Sequence, residues 1–407
     1  MSKFTKLTAE QLQTKRNFIE NYLQSHNAAT GSLFDANANV AHKNIATMEA
    51  ELNKDINIQV NRSLVSHKIE QLFGKELADE YIRQIEEHEI YVHDETSLKP
   101  YCVSVSMYPL LLDGLVKLGG ESKAPQHLAS YCGSFVNFLF SVSSQFAGAV
   151  ATVEFLMYFD HFARKDYGDD YLNTHREVIE NELQHVVYAI NQPAAARGYQ
   201  SVFWNISLYD RPYFNSMFGT FVYPDGSKPS YESLDKLQQF FMHWFNIERT
   251  KAILTFPVVT AAMLTKDKHV YDEHFARFCA KELSEGNAFF IYQSDNADSL
   301  ASCCRLRNEI SDNTFSYSLG AGGVSTGSIN VITINMNRLY QKHLSLERTL
   351  DNIHKYQVAY RAIVQEYKDA GMLPVYDAGF ISLDKQFLTV GINGMVEAAE
   401  YLGIRIS

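Results

Sequence analysis

The chain opens on a helical pattern of apolar and polar positions. In "SHKIEQLFGKELADEYIRQIEEHE", Ile69, Leu72, Phe73, Leu77, Tyr81 and Ile85 recur at three- and four-residue spacing, which lays one apolar stripe along a helix. The stretch before it, "NANVAHKNIATMEAELNKDINIQV", belongs to the same helical region. The pattern then changes. "EIYVHDETSLKPYCVSVSM" has a short β-like start, a turn-rich centre closing at Pro100, and alternating apolar residues after Cys102. Long helices return over residues 124–196. Beyond them come β-branched and aromatic runs, "SVFWNISLY", "ILTFPVVTAAML", "NAFFIYQSD" and "INVITINMN", separated by helical stretches at 232–245 and 270–284. Strands alternating with helices imply crossover connections and parallel pairing, hence an α/β architecture. Leu346, Leu350, Ile353, Tyr360 and Val364 mark a further amphipathic helix, with Gly371 placed to stop it. The closing "GMVEAAEYLGIRIS" ends on an apolar helical pattern without a polar tail, which reads as a chain cut inside a larger architecture.

Composition narrows the classes. With 407 residues and 46% hydrophobic content the chain can bury a sizeable core. A net charge of −11, without long single-sign runs, argues against a duplex-binding surface, which needs a basic footprint. A nucleotide ligand needs only local positive groups and stays open. The apolar stretch at 135–159 is interrupted by Asn137, Ser141, Ser143, Ser144, Gln145 and Glu154, so it predicts a buried helix rather than a bilayer span. "MSKFTKLTAEQLQTKRNF" has no apolar secretory core. Five cysteines at irregular spacing then suggest free thiols in a reducing cytoplasm.

Two of those cysteines are adjacent, in "SLASCCRLRNEI". A metal site needs about four ligands at recognisable spacing, and no C-x-x-C or H-x-H lies nearby. A vicinal disulfide is strained and out of place in a reducing compartment. Two buried small hydrophobes, or a thiol held for chemistry, remain. Arg305, Arg307, Asn308 and Glu309 follow at once and "SLGAGGVSTGS" soon after, a setting that favours exposure and thiolate formation. The glycines of that loop fit neither a Walker A nor a dinucleotide pattern. "YVHDE", Tyr91 to Glu95, reads first as a hydrogen-bonded structural unit and second as a pair of metal ligands. Asn335 closes "VITIN" at a strand end, where α/β barrels place functional side chains and where asparagine also terminates strands routinely.

In order along the chain, "VHDETSLKPYC", "SCCRLRNE" and "VITINMNRL" resemble the catalytic subunit of anaerobic (class III) ribonucleotide reductases, from about Asn37 onward. "SQFAGAVATVEF" and "FPVVTAAM" add to the likeness. The resemblance implies a ten-stranded glycyl-radical-enzyme type α/β barrel, here an incomplete one, built from two parallel half-barrels around a finger loop. It implies an N-terminal helical region over 1–90 and a barrel core over 91–407, with dimer and effector helices at about 125–195 and the finger loop at about 295–328. It matches Cys304, directly before Arg305, to the thiyl-radical cysteine. Cys102 matches the second active-site cysteine on the first barrel strand, and Asn335 an asparagine lining the substrate pocket of formate-using members. Cys303 acquires no role.

The resemblance further implies anaerobic reduction of ribonucleotides, as triphosphates, to 2′-deoxyribonucleotides. Formate or a thiol is the reductant, a deoxynucleotide or ATP the effector, and a homodimer the assembly. The family's glycyl-radical loop, of the form Arg-x-x-Gly-Tyr, its four-cysteine zinc site and its N-terminal ATP cone have no counterpart in this sequence. The expectation is a split enzyme: no metal or cofactor bound by this chain, and a glycyl radical supplied in trans by a separately encoded fragment that a radical-SAM activase has charged. Neither a membrane nor a nucleic acid is an expected partner. A pyruvate formate-lyase-like acyltransferase, which also carries adjacent cysteines, and a non-catalytic nucleotide-binding remnant are the rival functions.

Overall fold

The computed structural model describes residues 7–24, 43–193, 200–295, 301–302, 306–307 and 325–405. Eleven strands are present among them: β1 (Ile90–Val92), β2 (Cys102–Ser104), β3 (Val150–Ala151), β4 (Trp204–Tyr209), β5 (Val258–Lys266), β6 (His269–Val270), β7 (Phe290–Ser294), β8 (Ala301–Ser302), β9 (Leu306–Arg307), β10 (Thr326–Asn335) and β11 (Gln386–Asn393). Nine form one sheet. β2, β3, β4, β5 and β7 run parallel in that order, while β10 and β11 form a second parallel pair. β10 joins the two sets by pairing antiparallel with β2, and β1 lies antiparallel to β10 further along. Two oppositely directed parallel sets agree with the half-barrel expectation, and among the described residues the sheet does not close. Among the described residues β8 and β9 pair with each other alone. Their backbones lie against β4, β5 and β10, strands separated in the sheet by β2 and β3, so the hairpin crosses the inner face of the curve.

Local sequence explains the boundaries. The long apolar stripe at the N-terminus is two helices, Ile45–Phe73 and Lys75–Glu86, because Gly74 takes φ +95°, a conformation that a side chain resists. Ile69, Tyr81 and Ile85 are buried as the stripe predicts, while Leu72 and Phe73 at the break are exposed. Asn44, Asp210, Ser230, Asp272 and Ser345 cap helices by accepting an amide of the first turn. The helix Leu346–Asp369 ends just before Gly371, at φ +73°.

Residues 124–193 hold the helices Leu128–Gln145, Phe155–Tyr167 and Arg176–Asn191, with the two-residue β3 between the first two. They pack on the outer face of the sheet through aromatic residues. Trp204 stands 5.4 Å from Phe135 and 5.0 Å from Phe155, ring centre to ring centre, and its indole N–H donates to Thr152 Oγ1 at 2.8 Å. None of the described helices is long and apolar enough to cross a membrane.

Candidate active site

Alternation decides which side chains of β2 face the sheet's concave side. Val103 is fully buried in the hydrophobic core under the helices, so Cys102 and Ser104 point the other way. The Cys102 thiol sits in a tight cradle, with the Ala149 amide donating to its Sγ at 3.3 Å. Gly148 N–H donates to Tyr101 O at 2.6 Å and Val103 N–H to Ala149 O at 2.9 Å, so the loop before β3 wraps over the cysteine. A Cβ on Gly148 would stand 2.5 Å from Sγ. Only glycine permits that approach, which gives the "FAGAV" run a physical reason.

The same face carries polar side chains on three strands. Ser104, Ala151 and Asn205 occupy one row across β2, β3 and β4, and Ser207 pairs with Thr260 one row on. All four polar members are buried. Ser104 Oγ and Asn205 Nδ2 have no hydrogen-bond partner. The row places them roughly 10 Å apart, two strand spacings. A buried donor left unpaired costs about 1–3 kcal/mol, so two on one face mark a surface built for a polar ligand. Sequence reading passed over both residues, although the signal was present: in "CVSVS" and "WNISLY" polar residues alternate with apolar ones inside strands.

Ser328 of β10 stands opposite Cys102, and its Oγ lies 2.8 Å from Thr389 Oγ1 of β11. Asn335 ends the same strand seven positions later, roughly 20 Å from Cys102 along it. Its Oδ1 accepts the Arg338 amide at 3.1 Å, capping the helix Met336–Gln341, and its Nδ2 donates to His88 O at 3.0 Å. Beside it Glu89 is 2% exposed and bridged by Arg83 at 2.8 Å and by Lys342 at 2.9 Å. Burial alone would raise the Glu89 pKa, but the two cations hold it below the usual value. Cys102 and Asn335 are therefore at different levels of the barrel. His93 belongs to the structural unit expected of it: its Nε2 is 2.9 Å from Thr333 Oγ1, and its ring meets Tyr91 and Tyr101 edge to face. Cys303 and Cys304 lie outside the described residues, between β8 and β9 in sequence.

A family model described as anaerobic ribonucleoside-triphosphate reductase matches residues 49–407. Among solved structures, the anaerobic ribonucleotide reductase from Thermotoga maritima with citrate in its active site is similar at 28% identity and TM-score 0.79, covering 97% of this chain and 69% of that one. A second anaerobic ribonucleotide reductase is 30% identical at TM-score 0.81, covering 97% of this chain and 62% of its own. The Thermotoga maritima enzyme in complex with dATP and CTP is 27% identical at TM-score 0.79, with 99% and 69% covered. This chain thus spans about two thirds of the length of the structures it resembles. The comparison with curated proteins gives no match.

Proposed function

Since this chain belongs to the anaerobic ribonucleoside-triphosphate reductase family, we propose that its polar sheet face holds the ribose of a ribonucleoside triphosphate for 2′-reduction by thiyl-radical chemistry. The observation that carries this reading is the buried Cys102 thiol on one face with two orphaned donors, Ser104 Oγ and Asn205 Nδ2, which ribose hydroxyls would satisfy. In the proposed sequence the Cys304 thiyl takes the 3′ hydrogen, and the 2′-hydroxyl leaves as water after protonation. Cys102 donates a hydrogen atom to C2′ from within the cradle and recovers it from the reductant. Formate or a thiol supplies the two electrons, and Cys304 then returns the 3′ hydrogen. Sulfur exchanges hydrogen atoms without acid–base help, and a barrel interior closed by the further segment would keep water from the radical. Reacting atoms must come within roughly 3–3.5 Å, which the hairpin β8–β9 crossing the inner face would allow.

The radical itself is proposed to reach the barrel from residues outside this sequence, carried by a separate polypeptide and generated by a radical-SAM activase. The open β11 edge supports a further segment there: Phe387, Val390 and Ile392 on it are exposed. A homodimer through the helices of residues 125–195, with a deoxynucleotide or ATP effector near them, completes the reading.

The anaerobic chain should bind CTP, the nucleotide crystallised with the Thermotoga maritima enzyme. Cys102→Ser should leave that affinity unchanged while abolishing turnover in the complex reconstituted with the radical-bearing partner. Failure of the unmodified chain to bind any ribonucleotide would sink the proposal. A reading frame that continues into the radical loop would remove only its two-chain arrangement.

A further inference from the structure

Away from the concave face, the helices Tyr231–Lys251 and Glu273–Ser284 pack side by side and leave a surface cleft of about 330 Å³ between them. His243 and Glu282 line it, and one ring nitrogen of His243 and one carboxylate oxygen each of Glu282 and Glu285 lie within 4.8 Å of one another. His243 and Glu285 are exposed, whereas Glu282 is only 3% exposed and lines the cleft. Glu282 Oε2 accepts from Asn287 Nδ2 at 3.0 Å, while Oε1 makes no hydrogen bond, and no cation stands within 4 Å of the carboxylate among the described residues. The second oxygen opens to the cleft, where a cation would give the carboxylate a counter-charge.

The surroundings fit that occupant. Asn287 is itself held, donating to Met242 O at 3.2 Å and accepting from Arg249 Nη1 at 3.3 Å, so Glu282 is oriented from behind, as ligand carboxylates at metal sites are. The cleft's own cations are committed or weakly placed. Arg277 pairs with Glu273 at 2.7 Å, and Lys281 approaches Glu285 only to 3.8 Å in an exposed, weak pair. His274 faces Asp235 at 3.6 Å and Gln239 at 3.3 Å.

We propose that His243, Glu282 and Glu285 bind a divalent transition metal of the Zn2+ class, with one coordination position open to water. One imidazole and two carboxylates form a donor set that Zn2+ accepts in tetrahedral geometry. Such an ion holds its ligand atoms roughly 3.3 Å apart. The exposed His243 and Glu285 side chains close that gap by rotation while Glu282 stays anchored. The bound ion ties the end of one helix, and the turn leading into β7, to the neighbouring helix. Asn246, one turn after His243, already donates to Glu285 O at 3.4 Å across the same junction.

The test uses the full chain, stripped with a chelator and kept anaerobic, titrated calorimetrically with Zn2+ and spectroscopically with Co2+. The expected result is one equivalent whose Co2+ spectrum lacks a thiolate charge-transfer band, together with a rise in Tm on adding Zn2+. His243→Ala and Glu285→Gln, both at exposed positions, should fold as the parent does. Each should weaken that equivalent roughly tenfold or more and cancel the Tm rise. Zn2+ binding of unchanged strength in both variants would identify an adventitious ion only and overturn the proposal, as would the absence of any non-thiolate equivalent.

Discussion

Glu154 follows β3 and is completely buried. Its Oε2 accepts the Met107 amide at 2.7 Å and its Oε1 has no partner. Burial pushes its pKa up to about 8, only partly opposed by the Met107 amide. In the unfolded chain the same carboxyl ionises near 4.5. Between these values the unfolded state sheds a proton that the folded state keeps, so stability is full below about pH 4.5, falls as pH rises towards about 8, and then levels. Glu154→Gln carries no such titration. Its melting temperature relative to the parent should climb from pH 5 to pH 8, by the equivalent of about 3 kcal/mol, and a gap constant with pH would refute the assignment. At this scale the sequence was partly legible. Cys102 stood out for its "KPYC" setting, but Ser104 and Asn205 did not, because polar residues in strands acquire meaning only once the register shows which share a face.

Among elements, Asn335 is the instructive case. Its position at a strand end was readable, and both of a strand-end asparagine's ordinary uses were open. In the fold its oxygen caps the helix Met336–Gln341 and its amide ties β10 to His88. An N-cap contributes about 1 kcal/mol. Asn335→Asp preserves the capping oxygen but loses the donor to His88 O, so it and Asn335→Ala should each lose about 1 kcal/mol in denaturant unfolding. If Asn335 also contacts substrate, both variants will lose nucleotide affinity while still folded; unchanged affinity confines the residue to its structural role. The long strands β4, β5 and β10 were legible because their β-branched and aromatic runs exceed five residues. β3, with two residues, carries too little pattern to be seen. β11, "QFLTVGIN", mixes polar and apolar residues as a half-covered strand does, and no run marked it.

For the molecule as a whole, the parallel sets were legible from strand–helix alternation, but the antiparallel seam between β10 and β2 was not, since no local pattern encodes it. Among the described residues β10 is the one strand paired with β11, and Met395, Val396 and Tyr401 on the following helix are exposed along with its own apolar residues. Patches of this kind mark contact surfaces. If the radical-bearing segment docks there, amide hydrogen exchange over residues 386–404 should slow when the partner is added; unchanged exchange would place the contact elsewhere. The seam also has a consequence for how the chain is made. Thr333 of β10 reaches His93, just beyond β1, across 240 residues. At roughly 5–20 residues per second, a ribosome takes roughly 10–50 s to cover that distance. Until then β1 and β2 have no antiparallel partner, and the edge of β2 that β10 covers stays open beside Cys102. Synthesis is the interval in which this thiol is most open to oxidation and this strand to mispairing, so yield from expression should respond to oxygen and growth temperature well before the finished protein does.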